Sequence, residues 1–334
     1  TGASNVAIGN SSLTANTTAS NNTALGSSAL AANTTGTPNT AVGFEAAAGT
    51  TTGNNIVAVG YRALKANTTA NSNTAVGYDA FTANTSGASG VAVGTLALGA
   101  NTTGASNVAV GANCLQANTT ASNNTGVGHQ SLTDNTTGYA NTAMGKNSLA
   151  NNTTGYHNVS IGADSMETNT TGHSNVAVGE SALLANTTAA NNTAVGVDAM
   201  KATTTGAYNV AMGTYALDAN TTANANVAMG YGALGANTTG TTNAAIGHEA
   251  LTANTTGSDN VAVGYGVLDA NTTADNNAGI GKWALSSNTT GAGGVGIGYQ
   301  AGFAITTGNV NTCVGYDAGK AITTGGGNIC LGRD

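Results

Sequence analysis

Glycine returns at one fixed interval along nearly the whole of this chain. From Gly9, in Asn5-Val6-Ala7-Ile8-Gly9, it recurs at 26, 43, 60, 77, 94, 111 and 128. It then falls at every seventeenth residue to Gly332, twenty times with no insertion or deletion. A phase held that long without slippage means that each residue type stacks on its own kind in the next unit. That is the signature of a solenoid, in which a unit touches only its neighbours. The array is therefore expected as a single continuous repeat domain over residues 1–334.

Other positions keep the same phase. The residue before the glycine is aliphatic, from Ile8, Leu25, Val42 and Val59 to Leu331. The residue two before is small: mostly Ala, otherwise Gly126, Ser160, Gly279, Gly296, Cys313 or Cys330. Three before comes mainly Val or Thr, and four before comes Asn in seventeen of twenty copies. Side chains alternate across a strand. The aliphatic and Val/Thr columns thus share one face, and the small and Asn columns share the other. Four residues after the glycine stands Leu in most copies, replaced by Phe81, Met166 and Met200 in some. Asn-Thr-Thr follows, with Ser86 as the one exception at the second Thr.

These columns predict an all-β parallel β-solenoid, a β-roll of about twenty 17-residue coils, and not a helical fold. The apolar spacing does not sustain a 3.6-residue period, and Gly, Thr and Asn are poor helix formers. Each coil is read as two short strands, one ending at the invariant Gly and one centred on Ala-Leu-x-Ala-Asn-Thr-Thr. The glycine supplies a corner where φ is positive or where a neighbouring backbone comes close. At the strand spacing of about 4.8 Å, twenty coils make a rod on the order of 95 Å long.

Composition narrows the functional classes. Only 6% of residues are charged and 4% aromatic, the net charge is -7, and there are seven basic residues. Those seven cannot make a positive stripe, so nucleic-acid binding has no electrostatic basis. No run of 18 apolar residues exists, so no helix is expected to enter a membrane. Three cysteines make no disulfide framework.

Large apolar side chains are few, about three per coil: the Val or Ile before Gly, the Leu, and sometimes the Val three before. The core is thin for a lone rod. The small-residue column, Ala7, Ala24, Ala41, Ala58, Ala75, Ala92 and Ala109 onward to Cys313 and Cys330, would let another backbone approach. It is the candidate subunit-contact column, and it predicts self-association as a parallel trimer. The alternative is that it fills a tight interior. The array starts in mid-unit and stops two residues past Gly332, and open ends invite stacking, so the chain is expected to be either a fragment of a longer fibre or one that abuts other subunits.

The run Asn-Val-Ala-Val-Gly-x-x-Ala-Leu, Asn175 to Leu183, resembles the head repeats of trimeric autotransporter adhesins. The fuller unit, Asn73 to Gly87, is similar to repeats in phage tail fibres and bacterial surface fibres. The resemblance spans the whole chain. It implies a left-handed parallel β-roll, three chains around one axis, and an adhesive role outside the cell. The period of 17 is longer than the adhesin head repeat, and residues 1–334 include no neck, stalk or anchor of that kind.

Candidate sites follow from single columns. Asn16, Asn33, Asn67, Asn84, Asn101, Asn118, Asn135, Asn152, Asn169, Asn186, Asn220, Asn237, Asn254, Asn271 and Asn288 each open an Asn-x-Thr/Ser glycosylation sequon. The competing reading is a structural Asn/Thr ladder. Phe44, Tyr61, Tyr78, Tyr231, Tyr265, Tyr299 and Tyr316 follow the glycine and form an outward column that could meet surface glycans. His129, His157, His173 and His248 have no metal-ligand spacing, and the scattered Asp79, Glu180, Asp198 and Glu249 cannot be paired as catalytic carboxylates. No cofactor, metal or catalytic residue is expected. Cys313 and Cys330 occupy one position in adjacent coils and should stack, as packing residues or as a disulfide.

The expected function is a structural fibre or adhesin segment, extracellular, on a cell surface or on a virion, whose partner is itself. The alternative is an ice-binding solenoid, motivated by stacked Thr columns. On a strand the two adjacent Thr would point to opposite faces, which weighs against it.

Overall fold

The computed structural model describes residues 2–333. Among them the chain is all-β, a parallel β-solenoid with one short strand per 17-residue turn and no helix. It divides into two compact units, Thr1–Thr171 and Gly172–Asp334, although the repeat phase runs unbroken through the boundary. In a coil stack only neighbouring coils touch, so compactness is a local property and a single repeat array need not behave as a single compact body.

The first unit carries ten strands, from β1 (Val6–Ile8) to β10 (Val159–Ile161), including β5 (Thr74–Val76) and β6 (Val91–Val93). Each pairs in parallel with the next, every residue opposite its own equivalent seventeen places on: Thr74 with Val91, Ala75 with Ala92, Val76 with Val93. The second unit carries β11 (Val176–Val178) to β20 (Ile329–Leu331) in the same register. Like does lie on like.

The expected second strand is absent. The Ala-Leu-x-Ala segment is bent by residues in the left-handed region: the second and fourth after the glycine, such as Asp79 (φ 50°) and Phe81 (φ 55°). A third, the twelfth after it, returns the chain to the next strand, as at Ser89 (φ 59°). A left-handed L-residue costs roughly 1–2 kcal/mol, and bulky Leu and Phe are rare there. The coil holds them because their amides are committed to adjacent coils. Asp79 N–H donates to Tyr61 O (2.9 Å) on one side and Phe81 N–H to Ala97 O (2.8 Å) on the other. The reversal also swings the fourth side chain into the interior, where Phe81 and the Leu residues are buried.

The invariant glycine meets both expected requirements. Gly77 has φ +141°, and a Cβ there would stand 2.6 Å from the carbonyl oxygen of Gly94 in the next coil. The same contact recurs at Gly111 against Gly128, at 2.3 Å.

The interior is the reverse of what side-chain size suggests. The small column (Ala24, Ala41, Ala58 and on) and the Asn column four before glycine point inward and are buried. Val76, Val93 and Val110, just before their glycines, are more than a third exposed, and Met144 is 46% exposed. The lumen is narrow, and most coils put only small residues, Asn and one larger side chain into it. Its volume is held constant by paired exchanges. Phe81 is faced by Gly90, where most coils have Asn, and a Cβ on Gly90 would lie 2.5 Å from the Phe81 ring. Ala47, in place of Leu, is matched nine residues later by a buried Ile56. Cys114 is matched twelve residues later by Gly126, whose Cβ would sit 2.5 Å from Cys114 Sγ, and Val267 is matched by Gly279 at 2.4 Å.

Two Asn columns close each coil across this lumen. Asn73 and Asn84 both donate through Nδ2 to Gly87 O, at 2.8 and 2.9 Å. Most of these amides also bond along the stack, as from Asn118 Nδ2 to Asn101 Oδ1 (2.6 Å) and from Asn135 Nδ2 to Asn118 Oδ1 (3.0 Å), whereas Asn16 Oδ1 and Asn33 Oδ1 are buried without a partner. Buried polar side chains are tolerated only when satisfied, and here they tie the strand to the turn.

Candidate functional site

With the lumen filled, function falls to the outward columns. Each strand leaves two side chains outside, the aliphatic residue before glycine and the Val, Thr or Ala three before it. Gly closes the row, so the outer face of each strand is an uncharged, mainly apolar strip one coil high, repeated in every coil of both units.

This relocates the candidate subunit-contact column. Ala24, Ala41, Ala58, Ala75, Ala92, Ala109 and Cys313 are buried inside the coil, and only Ala7 and Cys330 retain exposure. Strand alternation forces it: with Asn turned inward to close the coil, the small residue two places on must turn inward too. The column that strand alternation turns outward is the aliphatic one.

The sequon asparagines are also interior. All but the half-buried Asn16 are buried. The Nδ2 that an N-glycan would occupy donates inside the lumen, as from Asn118 to Ala121 O at 3.0 Å. A glycan there would displace this bond and has no room, so the column is a structural ladder.

The Thr pair behaves differently from a strand pair. Because this segment is a turn, both Thr columns lie at the surface, the second the more exposed, as at Thr136 and Thr137. The first also ties coils together: Thr85 N–H and Oγ1 both donate to Thr102 O, at 2.9 and 3.1 Å. The exposed second hydroxyl column adds polar surface without charge.

The aromatic column after glycine stacks along the axis. Phe44, Tyr61 and Tyr78 lie ring on ring with centroids 5.3 and 5.1 Å apart. In the second unit Tyr231, His248 and Tyr265 stack at 5.2 Å per step. Trp283, with Lys282 Nζ 4.0 Å over its ring, extends the row to Tyr299 and Tyr316. Where consecutive rings stack they cover one another's faces and leave edges and hydroxyls to solvent; Trp283 instead stands edge-on to Tyr265 and tilted to Tyr299. The spacing of 231, 248, 265, 299 and 316 carries this row in the sequence; Trp283, one place out of phase, is what hides its continuity.

The remaining candidates stay apart. His157 packs edge-on against Tyr139 and Tyr156 (5.3 and 5.2 Å), and His248 lies 3.5 Å from Glu249. Asp79 pairs with Arg62 at 3.1 Å and Asp198 with Lys201 at 3.0 Å. Among the described residues no three His, Cys, Asp or Glu side chains come together as a metal site, and no helix is long and apolar enough to cross a membrane. Burial pushes the Cys114 thiol up to about 12 and raises the pKa of the Asp218 carboxyl from its ordinary value. Both positions reflect the packed coil, not a reactive cluster. No protein-family model matches this chain, and no curated protein shows a significant similarity to it.

Proposed function

We propose that this chain is a structural segment of a fibre, extracellular, on a cell surface or on a virion, that works by self-association and display. One observation carries the reading: in every coil the outward strand face carries two uncharged side chains, one always aliphatic and the other Val, Ile, Ala or Thr, although the interior is already complete without them. Ten strands in one unit, each leaving two such side chains partly exposed, offer on the order of 1,000 Å². A standard interface takes about 800 Å² from each partner, so side-by-side copies are the natural cover. Three chains around one axis satisfy this face with closed symmetry and leave the Thr and aromatic columns outside for contact with surface glycans or other partners.

The test is the native mass by light scattering. The expected result is a trimer for the natural chain. Val93→Lys with Val110→Lys and Val127→Lys should yield monomers with an unchanged far-ultraviolet spectrum, since these side chains are not in the lumen. A natural chain that stays monomeric at tens of micromolar would overturn self-association.

A second reading, ice binding, is favoured by the two adjacent surface Thr columns. The objection that they must face opposite ways applies to a strand, and this segment is a turn. Inhibition of ice recrystallisation at low concentration, lost on replacing Thr137, Thr154 and Thr171 with Tyr, would displace the fibre reading. The fibre reading expects no such activity.

A further inference from the structure

We propose that Cys313 and Cys330 are a covalent modification site, forming a reducible disulfide that cross-links two successive coils beyond the point where the Asn-Thr-Thr column of the amide ladder ends. The two residues are Cα partners in the parallel pair β19 (Thr312–Val314) and β20. Both take the inward position between outward neighbours, and both are thiols in the structure. In-register strands bring equivalent Cα atoms about 4.8 Å apart, inside the range a disulfide spans.

The surrounding coil is altered to admit them. Leu gives way to Gly302 and Gly319, and the ladder Asn gives way to Ile305 and Ile322, in the last two turns only. A Cβ on Gly319 would lie 2.6 Å from Cys313 Sγ and 3.2 Å from Cys330 Sγ. The sulfurs therefore converge on the space that Leu fills elsewhere. The side-chain ladder runs to Asn288, bonded to Asn271 at 3.2 Å, and the isoleucines that follow can neither donate nor accept. The other Asn column still joins these coils, Asn328 Nδ2 donating to Asn311 Oδ1 at 2.8 Å, and a sulfur–sulfur bond would add a covalent link beside it. Cys114 is the internal contrast: buried in a different column, packed on Gly126, with no cysteine opposite.

The chemistry closes with a small disulfide such as oxidised glutathione. The half-exposed Cys330, as thiolate, attacks it, and one glutathione leaves. Cys313 thiolate then attacks Cys330 Sγ and expels the second. One protein sulfur–sulfur bond forms and one in the oxidant breaks. Two electrons pass to glutathione, and the two thiol protons end on the two departing thiolates. Burial, then the neighbouring Cys330, pushes Cys313 up to about 11. Closure should therefore quicken with pH from neutrality toward that value. Parallel side chains hold the Cβ atoms wider than the usual 3.5–4.5 Å, so the bond is strained and readily reduced.

The test is a glutathione redox titration of the full chain, quenched by alkylation and read by intact mass and peptide mapping. The expected product lacks two hydrogens and carries a 313–330 cross-link, formed faster at pH 9 than at pH 7 and reversed by reduced glutathione. Cys114 should alkylate only after denaturation. By analogy with a closed loop of about 15 residues, amide exchange in β19 and β20 should slow roughly a hundredfold on oxidation. Gly319→Leu, which keeps both thiols, should prevent the cross-link. A glutathione adduct that persists on Cys330, free alkylation of both thiols in oxidising buffer, or a cross-link between two chains would each overturn the proposal.

Discussion

At the scale of single residues, stability rests on positions with no room to vary. Gly77→Ala would add a Cβ at φ +141° and 2.6 Å from a backbone oxygen that cannot move alone. Strain and overpacking together should cost several kcal/mol, on the order of 3–5, seen as a lowered melting temperature and new proteolysis near β5 and β6. Gly126→Ala is milder, because its obstacle is the Cys114 sulfur. It should cost about 1–3 kcal/mol, and Cys114→Ala in the same chain should recover most of the loss, a coupling that a double-mutant cycle reads directly. Asp218 is the charged counterpart. Burial raises its carboxyl, so its folded pKa lies above the unfolded one. Its ionisation therefore lowers stability as pH rises through that window. Asp218→Asn should make the folded state modestly more stable at pH 7 and no more stable at pH 3.

At the scale of the coil, the Asn ladder replaces the hydrophobic core that a lumen this narrow cannot hold. Asn118→Ala removes the donor to Ala121 O and Asn101 Oδ1 and the acceptor for Asn135. Leaving such groups buried and unpaired costs about 1–3 kcal/mol each, so the variant should lose more than any single outward Val→Ala change, measured by thermal or denaturant unfolding. Asn118→Asp should be worse at neutral pH and partly restored in acid. A carboxylate facing carbonyl oxygens is disfavoured, its folded pKa is raised, and stability present at low pH is lost as pH rises through that value. The left-handed Leu belongs to this scale too. Its conformation is imposed by the coil, since its amide bonds the next turn while its side chain fills the lumen.

At the scale of the whole molecule, neighbour-only contacts decide how damage spreads. A lesion such as Gly77→Ala should abolish exchange protection in the adjoining coils of the first unit and leave the amides of β14 (Val227–Met229) to β17 (Ala278–Ile280) protected, because stability in such arrays is a sum of local terms. Hydrogen exchange by mass spectrometry distinguishes this from a single cooperative collapse. With 6% charged residues, the molecule also lacks the charge that keeps most proteins apart. The apolar strand face should therefore govern its association, with little dependence on salt.

The amino-acid sequence by itself determined the period, the in-register stacking of each column, the positive-φ glycine corner and which strand residues share a face. All of these follow from spacing alone. It also left room for the Asn ladder and the filled interior that the structure shows. What only the tertiary structure decided is which face is inside. Val and Ile would normally be buried before Ala and Asn, and reading them so placed the contact face on Ala24 to Ala109. The 17-residue coil leaves little room along its strand, Ile56 being admitted where Ala47 replaces Leu, so Ala and Asn line most of the lumen and the aliphatic column meets the surroundings. Both Thr columns came out on the surface for a related reason. Left-handed residues at positions such as Asp79 and Phe81 turn the expected second strand into a bend. No local propensity of Leu or Phe announces that conformation, because it is held by the hydrogen bonds and volume of the neighbouring coils.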